Sequence, residues 1–222
     1  MKFDELLRIV EGEPVFEPGL LLVGDADPED IQRQLTRWVG TGRLYQLRRG
    51  LYALAPPFQK IRPHPFLVAN RLVRGSYVSL QSALAHYGMI PEYVPVTTSV
   101  TTARPGLWDN PLGRYDFRHI RSDLLSGYRR TALSEGQEAF LATPEKALID
   151  TLYLGPTRSR MFAHLPEIEI PKGFDWRKAR EWIVRIPVGP RRTSVERRLD
   201  RLLGPHRRQA RPARQQRRPQ ER

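Results

Sequence analysis

Cysteine is absent from the 222 residues. Disulfides, thiolate metal sites and a cysteine nucleophile are therefore excluded, and the composition suits a reducing compartment. Long apolar runs are missing too. Runs such as Leu20-Leu21-Leu22-Val23 fall far short of the ~20 residues that a membrane span needs. The opening Met1-Lys2-Phe3-Asp4-Glu5 carries no apolar signal-peptide segment. The chain therefore reads as a soluble cytoplasmic protein. Lysine is scarce, with only Lys2, Lys60, Lys146, Lys172 and Lys178 among 37 basic residues. A GC-rich genome would produce such an arginine bias, but it does not explain where the arginines sit.

Several catalytic patterns are missing as well. A nuclease of the acid-x-lysine type needs Asp or Glu two residues before a lysine. Those positions hold Phe58, Pro144, Ile170 and Trp176. A nucleotidyltransferase pairs Gly-Ser with a later Asp-x-Asp that holds Mg²⁺. Asp25-Ala26-Asp27 has no Gly-Ser before it, and Gly75-Ser76 has no Asp-x-Asp at a useful distance after it. There is no phosphate-binding glycine loop ending in Gly-Lys-Ser/Thr and no Gly-x-Ser-x-Gly elbow. His64, His86, His119, His164 and His206 are scattered, with no i,i+4 pair for zinc. The chain reads as a binding protein, not an enzyme, with no cofactor and no metal.

What is present is positive charge and a patterned N-terminus. The formal net charge is +13, which suggests a polyanionic partner, nucleic acid first. Phe3, Leu6, Leu7 and Val10 fall at helical spacing, and residues 16–23 are long enough for a second short helix. Asp27 is a good N-cap, Pro28 fits the first helical position, and Glu29 and Asp30 suit the positive end of the helix dipole. In this third helix Ile31, Leu35, Trp38 and Val39 share one face, and Arg33 and Arg37 lie opposite. Gly40 and Gly42 end it. A tight hairpin follows, with Gly50 available for a positive φ at its turn.

This is the layout of a winged helix-turn-helix, which usually reads double-stranded DNA. Arg33 and Arg37, with Gln32 or Thr36, are the candidates for base edges in the major groove, since arginine recognises guanine and glutamine adenine. Arg48 and Arg49 on the wing are the candidates for phosphate or the minor groove. The plainer reading is a solvated helix face on which Glu29 and Arg33 pair at i,i+4. Glu29 and Asp30 would also repel phosphate. The rival function is a winged-helix protein-interaction or RNA-binding module without operator-specific DNA binding.

Ala55-Pro56-Pro57 breaks the pattern and marks a linker. Beyond it the sequence predicts helices over 64–74, 80–87, 146–154, 176–186 and 195–203, with Asp175 and Ser194 as caps of the last two. Extended segments are expected at 76–78, 94–104, 115–120 and 137–141. Ser79 reads as a helix cap ahead of an apolar stripe of Leu80, Ala83, Leu84 and Tyr87. Glu145, Lys146 and Asp150 read as capping and surface-pairing residues. Residues 205–222 hold seven arginines and one glutamate and are expected to be disordered. The expected fold class is α+β: a winged helix-turn-helix over 1–56, a mixed α/β domain over 60–204 and a disordered basic tail.

Three segments occur in order. The first runs from Leu35 to Tyr52, with Gly42-Arg43-Leu44 and Arg49-Gly50-Leu51-Tyr52. The second is Tyr77-Val78-Ser79-Leu80-Gln81-Ser82-Ala83-Leu84 with His86-Tyr87-Gly88-Met89-Ile90-Pro91-Glu92, and the third is Glu145-Lys146-Ala147-Leu148-Ile149-Asp150. Their order and spacing, across residues 1–155, resemble the AbiEi-type antitoxins of type IV toxin–antitoxin systems found in bacterial phage-defence loci. The resemblance implies an N-terminal winged helix that represses its own operon at an operator of inverted repeats. It also implies a C-terminal domain that counteracts a nucleotidyltransferase-like toxin. The arginine-rich tail lies outside the family pattern.

Overall fold

Apolar spacing and caps set the N-terminal elements. Helix α1 (Phe3–Val10) buries Leu6 and Val10. The expected second helix reduces to a single 3₁₀ turn, Pro18–Leu21. Helix α2 (Pro28–Gly40) starts where Asp27 accepts a hydrogen bond from the Glu29 amide at 3.1 Å, with Pro28 as its first residue. Strands β1 (Leu44–Arg48) and β2 (Leu51–Leu54) form an antiparallel pair. Gly50, at φ 75°, makes their turn, a conformation that costs glycine little. The computed structural model describes residues 1–22, 27–155 and 168–209.

The remaining elements build a mixed α+β body. They are α3 (Pro65–Leu72), β3 (Tyr77–Val78), α4 (Leu80–His86), β4 (Val96–Thr101), β5 (Gly106–Asn110), β6 (Gly113–His119), β7 (Tyr128–Ala132), β8 (Glu138–Ala142), α5 (Pro144–Leu154), α6 (Trp176–Val184) and α7 (Pro190–Gln209). Six strands form one sheet in the order β5-β6-β4-β3-β8-β7. The β4–β6 and β3–β8 pairs are parallel and the other three are antiparallel. Strand β4 is buried along its whole length. Its Thr98 is accommodated because Thr98 and Ser82 exchange hydrogen bonds: the Ser82 amide donates to Thr98 Oγ1 at 3.0 Å, and the Thr98 amide to Ser82 Oγ at 2.8 Å. Buried hydroxyls are tolerated when they are paired in this way.

Two apolar cores result, and the hairpin belongs to both. Side chains alternate across a strand. On β2, Tyr52 and Leu54 join Leu6, Ile31, Leu35 and Trp38 in the smaller core. Leu51 and Ala53, with Leu47 of β1, join the larger core under the sheet. The hairpin is thus a wall shared by the N-terminal helices and the body.

Three local expectations differ from the structure. Ser194 lies inside α7, which starts four residues earlier at Pro190. Helix α7 also runs to Gln209, so residues 205–209 of the expected disordered tail are helical, and 210–222 fall outside the described residues. Ser79 makes no side-chain cap at α4. Its hydroxyl serves the buried cluster described below. Among the described residues no helix is long and apolar enough to cross a membrane.

The start of α3 carries a pH dependence. His64 Nδ1 accepts from the Phe66 amide at 3.1 Å and so caps the helix, and the Phe66 ring lies between His64 and His86. Burial holds both imidazoles below the usual histidine value, helped by mutual repulsion at His64 and by Arg129 at His86. The folded state therefore favours neutral rings. Their contribution to stability is in place above the ordinary value of 6.5, and it is lost as the pH falls from there through the depressed folded values. The thermal midpoint should drop between about pH 7.5 and about pH 5, and the double change His64→Gln, His86→Gln should flatten that drop.

Candidate nucleic-acid interface

Helix α2 docks through Ile31, Leu35 and Trp38, all buried. That orientation turns Gln32, Arg33, Thr36 and Arg37 outward together, all four exposed. Successive helical residues are offset by about 100°, so the 32/36 and 33/37 pairs form one patch about two turns long. Thr36 Oγ1 donates to the Gln32 carbonyl at 2.9 Å. Gln32 Nε2 donates to the Tyr52 hydroxyl at 3.3 Å, and Gln46 Nε2 reaches the same oxygen at 3.4 Å. Tyr52 therefore ties the patch to the hairpin beside it.

The charges on this face are free to act on a ligand. Arg33 pairs with Asp30 at 3.5 Å and not with Glu29, and its side chain is 72% exposed. Such an exposed pair contributes only about 0–1 kcal/mol, so a better acceptor displaces it. The other Asp30 oxygen accepts from Gln34 Nε2 at 2.8 Å and lies 4.0 Å from the N-terminal amine. Arg37 has no partner among the described residues, and Arg43 lies over the Phe3 ring, 4.9 Å from its centroid.

The two hairpin arginines separate. Arg49 is exposed at the hairpin tip. Arg48 is turned inward. Its guanidinium donates to the Arg71 carbonyl at 3.2 Å, to the Arg49 carbonyl at 2.9 Å and to Glu17 at 3.5 Å. Successive residues on a strand point to opposite sides, but the bulge between Gln46 and Arg48 pairs Arg48 with Leu51, whose side chain belongs to the body's core, and so places Arg48 against the body. The structure thus gathers Gln32, Arg33, Thr36 and Arg37 on one surface, leaves Arg49 exposed at the hairpin tip, and commits Arg48 to the joint between the hairpin and α3.

The charge balance is not uniform along the chain. Residues 1–58 hold seven basic and nine acidic side chains. The excess of +13 therefore resides beyond residue 58, and the α2 patch is a positive surface on a mildly acidic segment.

A second polar constellation lies deep in the body. Glu145, Lys146 and Asp150 are not surface residues: they are 7%, 2% and 1% exposed. Lys146 Nζ donates to Asp150 Oδ1 and, at 2.9 Å, to the Tyr77 hydroxyl. Asp150 Oδ2 accepts from Tyr77 Oη at 2.9 Å and from Ser79 Oγ at 2.8 Å. The Tyr77 and Trp182 rings flank the ammonium, with centroids 5.4 and 5.5 Å away. Burial, then the Asp150 carboxylate, pushes the Tyr77 phenol far above its usual range, so it stays a donor. A side chain at Gly127 would put its Cβ 2.5 Å from Trp182 and 2.9 Å from Lys146, so only glycine fits there. Glu145 Oε1 accepts from the Asp175 amide at 3.1 Å and ties α5 to the start of α6. The Lys146 ammonium and both Asp150 oxygens find partners inside the protein, which is the signature of a structural cluster. Two of the segments that carry the family resemblance, 77–84 and 145–150, meet here.

Compared with known proteins, the chain matches no protein-family model and no curated relative.

Proposed function

We propose that the chain is a cytoplasmic, DNA-binding transcriptional repressor whose residues 1–56 form a winged helix-turn-helix. We further propose that it is the antitoxin of a type IV pair, opposing a nucleotidyltransferase-like toxin through residues 60–204. The observation that carries the DNA reading is the outward patch Gln32–Arg33–Thr36–Arg37, set by the buried opposite face of α2. Its side chains are those that read guanine and adenine edges. The order of the three sequence segments supports the antitoxin reading. Co-expression with the adjacent gene tests it: growth rescue by the full chain is expected, and absence of both rescue and self-repression contradicts it.

One observation favours a second reading. With nine acidic against seven basic residues over 1–58, the N-terminal segment also suits a protein partner. Salt dependence separates the two. If Arg49 contacts phosphate, Arg49→Ala lowers the slope of log K against log salt by about 0.9. Arg48→Ala is expected to leave that slope unchanged and to lower stability instead, because Arg48 bonds internally. A slope unmoved by both changes favours the protein-partner reading.

A further inference from the structure

We propose that a cleft between the N-terminal segment and strands β7–β8 binds a nucleoside phosphate. It is lined on one side by Gly12, Pro14 and Ile61, on another by α3, and on its floor by β7 and β8, and it encloses about 630 Å³. That lies within the ~300–1,000 Å³ range of small-molecule sites. The proposal is independent of operator binding, since α2 contributes no residue to the cleft.

The floor presents aromatic surface to solvent. Phe140 is 46% exposed and Tyr128 39%, and the two rings meet edge to face at 5.6 Å. Both are held in place. Tyr128 stacks on buried Tyr77 at 4.7 Å. The Phe140 amide donates to Asn70 Oδ1 at 2.6 Å, and Asn70 Nδ2 donates to the Ser76 carbonyl at 3.3 Å. A planar base covers such a preset ring without ordering it first.

The wall supplies positive charge. Arg71, Arg74 and Arg130 line the cleft, against the two carboxylates Glu135 and Glu138. Arg71 has no side-chain partner among the described residues. Arg74 shares Glu17 with Arg48, and Arg130 pairs with Glu138. A bare anion engages Arg71 and leaves Phe140 uncovered. A purely apolar ligand covers Phe140 and leaves Arg71 without an acceptor. A base joined to a phosphate satisfies both, with bidentate phosphate contacts from arginine.

The test uses full-length protein and calorimetric titration with adenosine 5′-monophosphate, adenosine, inorganic phosphate and a short 5′-phosphorylated single strand. Saturable binding of the monophosphate is expected, with adenosine and phosphate each weaker by about tenfold or more. Arg71→Ala and Phe140→Ala should each weaken binding about tenfold, and Phe140→Leu guards against a folding defect. Tighter binding of the strand than of the free monophosphate identifies a nucleic-acid end as the source. Equal or weaker binding of the strand identifies a free nucleotide. No saturation by the monophosphate or the strand at millimolar concentration overturns the proposal. So does wild-type affinity in both alanine variants, or phosphate binding as tightly as the monophosphate.

Discussion

Lys146→Ala is expected to destabilise the protein by about 3–5 kcal/mol, the usual consequence of leaving one member of a buried ion pair without its partner. The Asp150 carboxylate would keep its two hydroxyl donors, Tyr77 and Ser79, but would lose the only cation that contacts it among the described residues. Water cannot replace the ammonium easily, because Lys146 and Asp150 are 2% and 1% exposed. Asp150→Ala should cost a similar amount, since it leaves the ammonium buried against Tyr77 and Trp182. The double variant should cost clearly less than the sum, because the two losses share one interaction. Urea unfolding of the four proteins measures this cycle. A single-variant loss below about 1 kcal/mol, as for exposed pairs, would mean that the pair is solvated.

Trp38→Ala should cost about as much, roughly 3–5 kcal/mol for a buried aromatic truncated in a core. Trp38 is 2% exposed and packs edge to face against Phe3 at 5.3 Å. The loss falls on the smaller core, which fixes α2 against α1 and the hairpin. Loss of the proposed DNA binding and early proteolysis of the first 58 residues should therefore precede unfolding of the body. Trp38→Phe should be far milder. It keeps most of the ring, and it removes an indole N–H that has no partner among the described residues, a group that is costly to bury. DNA binding that survives Trp38→Ala unchanged would show that α2 is not held from this side.

Much of this arrangement is legible in the chain because local signals agree. Asp27, Pro28 and the 31/35/38 spacing define α2, and Gly50 between two short apolar runs defines the hairpin. Strands β5 and β7 leave no such trace. They are the two edges of the sheet, mostly exposed, so neither carries an alternating apolar face. The different fates of Arg48 and Arg49 are equally silent in sequence, since a bulge that turns the last strand residue inward and leaves the next one in the turn has no sequence mark here. The Lys146–Asp150 pair misleads for another reason. An i,i+4 pair of opposite charge ordinarily marks a solvated helix face. The available correction is the helix itself. Ala147-Leu148-Ile149 and Leu152-Tyr153-Leu154 cover it all round, and a helix apolar all round is a buried one. The hairpin's double role has a similar trace, because Leu51-Tyr52-Ala53-Leu54 is apolar at every position instead of every second one.

The most direct test of the central claim is fluorescence anisotropy of DNA from the chain's own upstream region and of a random duplex, measured with wild type and with Arg33→Ala, Arg37→Ala. The expected result is a loss on the upstream DNA of about 1–3 kcal/mol for each bidentate base contact removed, with a clearly smaller loss on the random duplex. Equal loss on both duplexes would mean that these arginines touch only phosphate. No loss on either would contradict DNA reading by this face of α2.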